Sequence, residues 1–165
     1  MKKGKSITKK QLNEFDLDKI KRFTEQEIIN LSKFNNELPF CYQVGTDILV
    51  GDKKVKKIDK DIWYVIERQN IIKEFYSRKY AIFYSIALYK NNHELADRIL
   101  DADRTINRLE FDAIIYRSRY KSAVDRNDIV MEDVYSSRYL DTMDKLEIVK
   151  KEIKNSLELA KYIKV

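Results

Sequence analysis

Glycine and proline are nearly missing from this chain. Gly4, Gly45, Gly51 and Pro39 are the only ones, and from Asp52 to Val165 there is neither. Glycine costs a helix interior about 1 kcal/mol and proline about 3, so their absence permits long helices. It also removes the residues that phosphate-cradling loops and sharp catalytic turns depend on. Neither a Walker loop, a dinucleotide-binding fingerprint nor an HExxH motif is present. Cysteine and histidine are equally scarce. Cys41 stands alone, so no internal disulfide can form, which fits a reducing compartment. His93 stands alone too, and without a second histidine or a cysteine cluster a zinc site is not expected. Long apolar runs are also missing. The longest, Tyr80 to Tyr89, is about half a membrane span, and the N-terminal lysines have no apolar stretch behind them. The expectation is a chain neither secreted through a signal peptide nor transmembrane.

Charge is abundant but unevenly placed. The net charge is +6. Lys2, Lys3, Lys5, Lys9 and Lys10 supply nearly all of it, with no acid among the first ten residues. Residues 1–15 therefore read as a flexible basic arm on a nearly neutral body. Such an arm suits nucleic acid or an acidic partner.

Residues 16–165 read as one domain. Thr24–Glu25–Gln26–Glu27 forms a capping box, with Phe23 and Ile28 placed as a hydrophobic staple. It predicts a short helix within 16–38 that buries Ile28, Leu31 and Phe34 and stops before Pro39. Residues 40–66 alternate β-prone runs with turn residues. They predict a small antiparallel meander in which Trp63 is a core anchor and shares a face with Val65. Cys41, between Phe40 and Tyr42, reads as a small buried hydrophobe. A helix over 70–90 follows. Its stripe of Ile71, Phe75, Ile82, Ile86 and Tyr89 lies beside a second stripe of Tyr76, Tyr80 and Tyr84, so it should be buried on two sides.

The clearest pattern comes next. Leu95, Ile99, Ala102, Ile106, Leu109, Ala113, Tyr116, Tyr120 and Ala123 alternate spacings of four and three, a sustained heptad seam over 92–124. Tyr139, Met143, Leu146, Lys150, Ile153, Leu157 and Ala160 continue it over 129–163. Asp125–Arg126–Asn127–Asp128 is polar and rich in cap formers. If it reverses the chain, opposing seam residues must have numbers with a constant sum. Tyr120 with Tyr135, Tyr116 with Tyr139, Leu109 with Leu146, Ala102 with Ile153 and Leu95 with Ala160 all satisfy this. The fold expected is mainly α within the α+β class: a small N-terminal antiparallel β-meander packed on a helical bundle dominated by a long antiparallel helical hairpin.

This register gathers Tyr116, Tyr120, Tyr135 and Tyr139 at the hairpin tip, ringed by Arg117, Arg119, Arg126 and Arg138. Tyrosine with arginine suits protein interfaces and also base stacking with phosphate contact. Asp97, Asp101, Asp103, Glu110 and Asp112 could suggest a carboxylate metal site. Interleaved Arg98, Arg104 and Arg108 make a salt-bridged solvated face the simpler reading. No catalytic residue, metal or cofactor is expected.

Phe75 to Leu88, Leu100–Asp101–Ala102–Asp103 through Asp112, and the closing Ala160–Lys161–Tyr162–Ile163–Lys164–Val165 resemble small uncharacterised proteins of tailed marine phages. The resemblance covers roughly residues 48–165 and implies a phage setting, in a virion or a host cytoplasm, with a part in virion assembly or phage DNA metabolism. Two functions follow as expectations. The first is a non-enzymatic structural or assembly protein, a minor virion component that contacts other protein subunits in a homo- or hetero-oligomer. The alternative is a nucleic-acid-binding accessory protein that uses the basic arm and the Arg/Tyr-rich tip.

Overall fold

A computed structural model describes residues 15–33, 38–160 and 163–164. In chain order, Phe15–Asp16 (β1) precedes a 3-10 turn, Leu17–Lys19, and Lys21–Phe23 (β2). Helix α1, Glu25–Lys33, leads to five strands: Cys41–Val44 (β3), Asp47–Val50 (β4), Lys53–Asp59 (β5), Ile62–Glu67 (β6) and Asn70–Phe75 (β7). Three helices follow, Arg78–Tyr89 (α2), His93–Asp125 (α3) and Ile129–Leu159 (α4), and then Ile163–Lys164 (β8).

The meander is larger than the sequence pattern suggests. Six strands lie in the order β2-β3-β4-β5-β6-β7. Strands β3 to β7 pair antiparallel, but β2 joins β3 in parallel, so the sheet is mixed. The capping box starts α1 as expected, and the Thr24 hydroxyl accepts from the Glu27 amide at 3.1 Å. The helix buries no side chain; Ile28 and Leu31 are half-buried. Phe34 lies outside the described residues, as do Lys2, Lys3, Lys5, Lys9 and Lys10. The expected arm overlaps structure at its end, because Phe15 pairs with Ile163 in a parallel β1–β8 bridge.

The expected 70–90 helix is shorter than its sequence pattern. Its first part is strand β7, in register with β6, and helix begins only at Arg78. The chain reverses between these strands through Arg68 and Gln69 at φ 48° and 69°. A two-residue hairpin of this kind normally uses Asn-Gly, because both central residues need positive φ. The turn therefore forms without the residues that usually announce it. Asp61, Asn91 and Asn127 also take positive φ, as short polar side chains tolerate. Gly51 is a true glycine requirement. Its φ is +59°, and a Cβ there would sit 2.6 Å from Cδ2 of Tyr89.

One face of the sheet carries Ile48, Val50, Val55, Val65 and Phe75 into the core. Helix α2 lies on it, and Ala81 through Ala87 are all buried, the two-sided burial expected for this segment. Helix α3 covers the other side with Leu95, Ala96, Ile99 and Leu100. Trp63 is half-buried and packs at the edge of this core, with Lys57 Nζ 5.7 Å above its ring.

Asp103 links the layers. It is 2% exposed, and its carboxylate accepts from the Tyr76 amide at 2.9 Å and the Ser77 amide at 3.0 Å. These donors stand at the start of α2, where Ser77 is the N-cap and unpaired amides carry partial positive charge. The solvated-face expectation is therefore wrong for Asp103. It follows Ile99 by four and Leu100 by three, which places it on the buried stripe. Burial raises its carboxyl above the ordinary range, and the two amide hydrogen bonds only partly offset this.

Helices α3 and α4 form the antiparallel hairpin. Asn92 caps α3 by accepting from Leu95 at 3.1 Å, one position later than Asn91, which takes the left-handed turn. Asp128 caps α4 at Met131. A groove lined by Leu95, Ala160 and Ser156, and another by Ala102, Val149 and Ile153, fit the predicted register. On α4 the seam is rotated slightly. Thr142 is buried while Met143 is 38% exposed, and the buried Thr142 hydroxyl is satisfied by donating to the Arg138 carbonyl at 2.8 Å. Among the described residues no helix is long and apolar enough to cross a membrane.

Candidate functional site

The core ends before the hairpin does. Its last members on α3 are Ile106 and Leu109, and the first on α4 is Leu146. Beyond them only Ala113, Ala123 and Thr142 are buried. The distal hairpin is therefore two helices that touch each other and nothing else in the core.

Its surface is unusually apolar. Phe111, Ile114, Val124, Ile129, Val130, Leu140 and Met143 are all exposed, and Ile114 and Leu140 reach 67% and 60%. Scattered exposed apolar residues are ordinary, but a concentrated set marks an interaction site.

Of the four tip tyrosines, two share a groove. Tyr120 and Tyr139 line one groove of about 450 Å³ with Arg117 and Ser136. Tyr135 lies toward Arg119, whose guanidinium carbon is 5.8 Å from the ring centroid. Tyr116 and Tyr135 are half-buried, and Tyr120 is 39% exposed. So the rings are partly seam and partly surface. Arg117 and Arg119 sit beside them; Arg126 is the C-cap of α3, its amide donating to Ser122 at 3.2 Å; Arg138 is exposed on α4.

By helical spacing the groove has an apolar rim. Ile114 precedes Arg117 by three and Val124 follows Tyr120 by four. Leu140 follows Ser136 by four and Met143 follows Tyr139 by four. Residues three and four apart share a face, so all four flank the groove. Sequence reading found the tyrosines and arginines but missed this rim. The signal was available: Ile114, Leu140 and Val124 are apolar residues off the heptad seam.

The described chain begins at the other end of the hairpin, and the five lysines lie outside the described residues. Phe15 sits next to Ile163, just past the end of α4. The 31 residues of α4 separate that point from the tip by about 45 Å at 1.5 Å per residue.

The residues with chemistry to offer are held elsewhere. Cys41 is 5% exposed, and burial pushes its thiol up to about 12, so no reactive thiolate forms near neutral pH. His93 is an exposed first residue of α3. Among the described residues no group of three or more His, Cys, Asp or Glu side chains could hold a metal ion. The ion pairs on α3, such as Arg98 to Glu94 at 2.7 Å, are surface helix pairs of small worth. Compared with protein-family models, curated proteins and solved structures, the chain matches none.

Proposed function

We propose that this protein is a non-enzymatic structural or assembly component that docks other protein subunits through the tip of its α3–α4 hairpin. One observation carries the reading: the distal hairpin exposes a rim of apolar side chains around an Arg/Tyr groove beyond the point where the buried core ends. Tyrosine and arginine inside an apolar rim have the composition of a binding hot spot. Two long helices without an internal glycine or proline make a stiff strut that holds this surface away from the body. A phage particle as the setting rests on the resemblance of residues 48–165 alone.

The test is sedimentation of the protein in extracts of its source, with Ile114→Asp and Leu140→Asp as variants. Both positions are exposed, so folding should persist by circular dichroism. We expect the wild type to travel with larger assemblies and the variants to shift to the monomer. A wild type that is strictly monomeric and absent from purified particles ends this reading.

The nucleic-acid alternative keeps one specific support, the five lysines of the first ten residues. Given the arm's point of attachment, a single duplex touching both the arm's root and the tip would span about 13 base pairs at 3.4 Å each. Binding that falls steeply with salt and is lost on removing residues 1–10 would favour it.

A further inference from the structure

We propose that the partner at the tip is a second copy of the chain, paired about a two-fold axis so that α3 of one protomer lies on α4 of the other. This inference rests on the tip-docking reading above and names its occupant.

The two helices of the tip carry opposite charge. On α3, from Ile114 to Arg126, stand Arg117, Arg119, Lys121 and Arg126 against the single acid Asp125. On α4, from Asp128 to Asp144, stand Asp128, Glu132, Asp133, Asp141 and Asp144 against the single base Arg138. By helical spacing Arg117 and Lys121 share the groove face of α3, whereas Arg119 lies on its other side, and the apolar seam separates the α3 bases from the α4 acids. A second hairpin turned by two-fold symmetry about the long axis brings each basic flank onto an acidic one, twice. Such a pairing is isologous and closes on itself.

The helical spacing supplies the contacts. Ile114, Arg117 and Lys121 are three and four residues apart on α3. Asp133, Leu140 and Asp144 are seven and four apart on α4, so each set forms one stripe. The stripes flank the groove lined by Arg117, Tyr120, Ser136 and Tyr139. Pairing stripe with stripe covers Ile114, Val124, Leu140 and Met143 and yields a four-helix bundle. In that bundle every neighbouring pair of helices is antiparallel, the favourable arrangement for helix dipoles.

The experiment is sedimentation equilibrium on the purified full chain, with two charge-reversed variants. One carries Arg117→Glu with Lys121→Glu; the other carries Asp133→Lys with Asp144→Lys. The wild type should dimerise at micromolar concentration. Each variant alone places like charges across both contacts and should bind itself about tenfold more weakly or worse. Mixed in equal amounts, the two restore opposite charge at both contacts and should form a heterodimer as tight as the wild type.

A wild type that stays monomeric to about 300 µM overturns the pairing, as does a charge variant that dimerises like the wild type or a mixture that shows no rescue. If a charge variant loses its helical circular dichroism, Ile114→Asn with Leu140→Asn decides in its place, and an unchanged dimer there also overturns it. Purified protein that is monomeric but sediments with larger assemblies in source extracts would refute self-pairing and leave the docking function standing.

Discussion

The two halves of α3 obey the same heptad rule and end in different environments. The first half meets α2 on one side and α4 on the other and buries Leu95, Ala96, Ile99, Leu100, Ala102, Asp103, Ile106 and Leu109. The second half, among the described residues, packs along α4 and buries Ala113 and Ala123. A seam residue is buried as deeply as the elements around its helix allow. A seam therefore predicts a partner helix, while layers beyond that partner decide whether the helix also has a core.

The sharpest way to break this contrast is a truncation at the base. Ile99→Ala removes a fully buried side chain and should cost about 2–5 kcal/mol through lost transfer energy and a residual cavity. Urea denaturation of the purified protein measures it. A loss under 1 kcal/mol would mean that the base is as loosely built as the tip.

Asp103→Ala should come next. It orphans the Tyr76 and Ser77 amides in a buried place, at about 1–3 kcal/mol for each unpaired donor. The pH dependence carries an independent signature. Burial holds the Asp103 carboxyl above its ordinary 3.8, so the folded state takes up this proton more readily than the unfolded state. The contribution of this group is then greatest below 3.8 and is lost as pH rises through the folded value. Asp103→Asn should remove that slope while keeping one acceptor for the amides. Thermal melts across acid pH decide it, and an unchanged slope would show that the carboxyl titrates normally.

Gly51→Ala should cost about 1–3 kcal/mol, combining a left-handed φ with a clash against Tyr89. Tyr89→Ala in the same background should return the clash part, and additivity of the two changes would refute the contact.

Cys41 reports on the base without disturbing it. Its thiol is held near 12, so a disulfide reagent at pH 8 should label the native protein far more slowly than the unfolded chain. Because the folded value lies above the unfolded 9.0, this group supports the fold below 9.0 and loses that support as pH rises beyond it. Fast labelling under native conditions would mean that the sheet opens readily.

The smallest effect belongs to the tip. Ile114→Ala, at a position 67% exposed, should change the stability of the monomer by no more than about 0.5 kcal/mol. Amides between Phe111 and Asp144 should exchange faster than those between Leu95 and Leu109, since local opening there exposes little core. Equal protection along α3 would erase the distinction between the halves.

Much of the hairpin was legible because its signals are local and redundant. The seam and the polar, cap-rich reversal at Asp125–Asp128 point to one register. The sheet was less legible. Ile71, Ile72 and Phe75 fit helical spacing as well as strand alternation, and only the pairing of β7 with β6 decides between them. The turn at Arg68–Gln69 carries no glycine or asparagine to give it away. The parallel partner β2 is a three-residue strand fixed by neighbours distant in sequence. At the site, the tyrosines were visible as seam members. Their exposure was not, because it depends on the core stopping at Leu109, which no residue near the tip encodes. Asp103 was misread for a related reason, since its two donors lie 26 and 27 positions away.

The uninterrupted helices also set a lever ratio. With about 35 Å from Asp103 to the tip and no glycine or proline within α3 or α4, a rotation of 10° where α3 meets α2 swings the tip by about 6 Å. Small repacking around Ile99 or Asp103 would thus be read at the far end as a displacement of about half a helix diameter. A partner gripping the tip would apply the same leverage in reverse, concentrating its torque on the Asp103 cap.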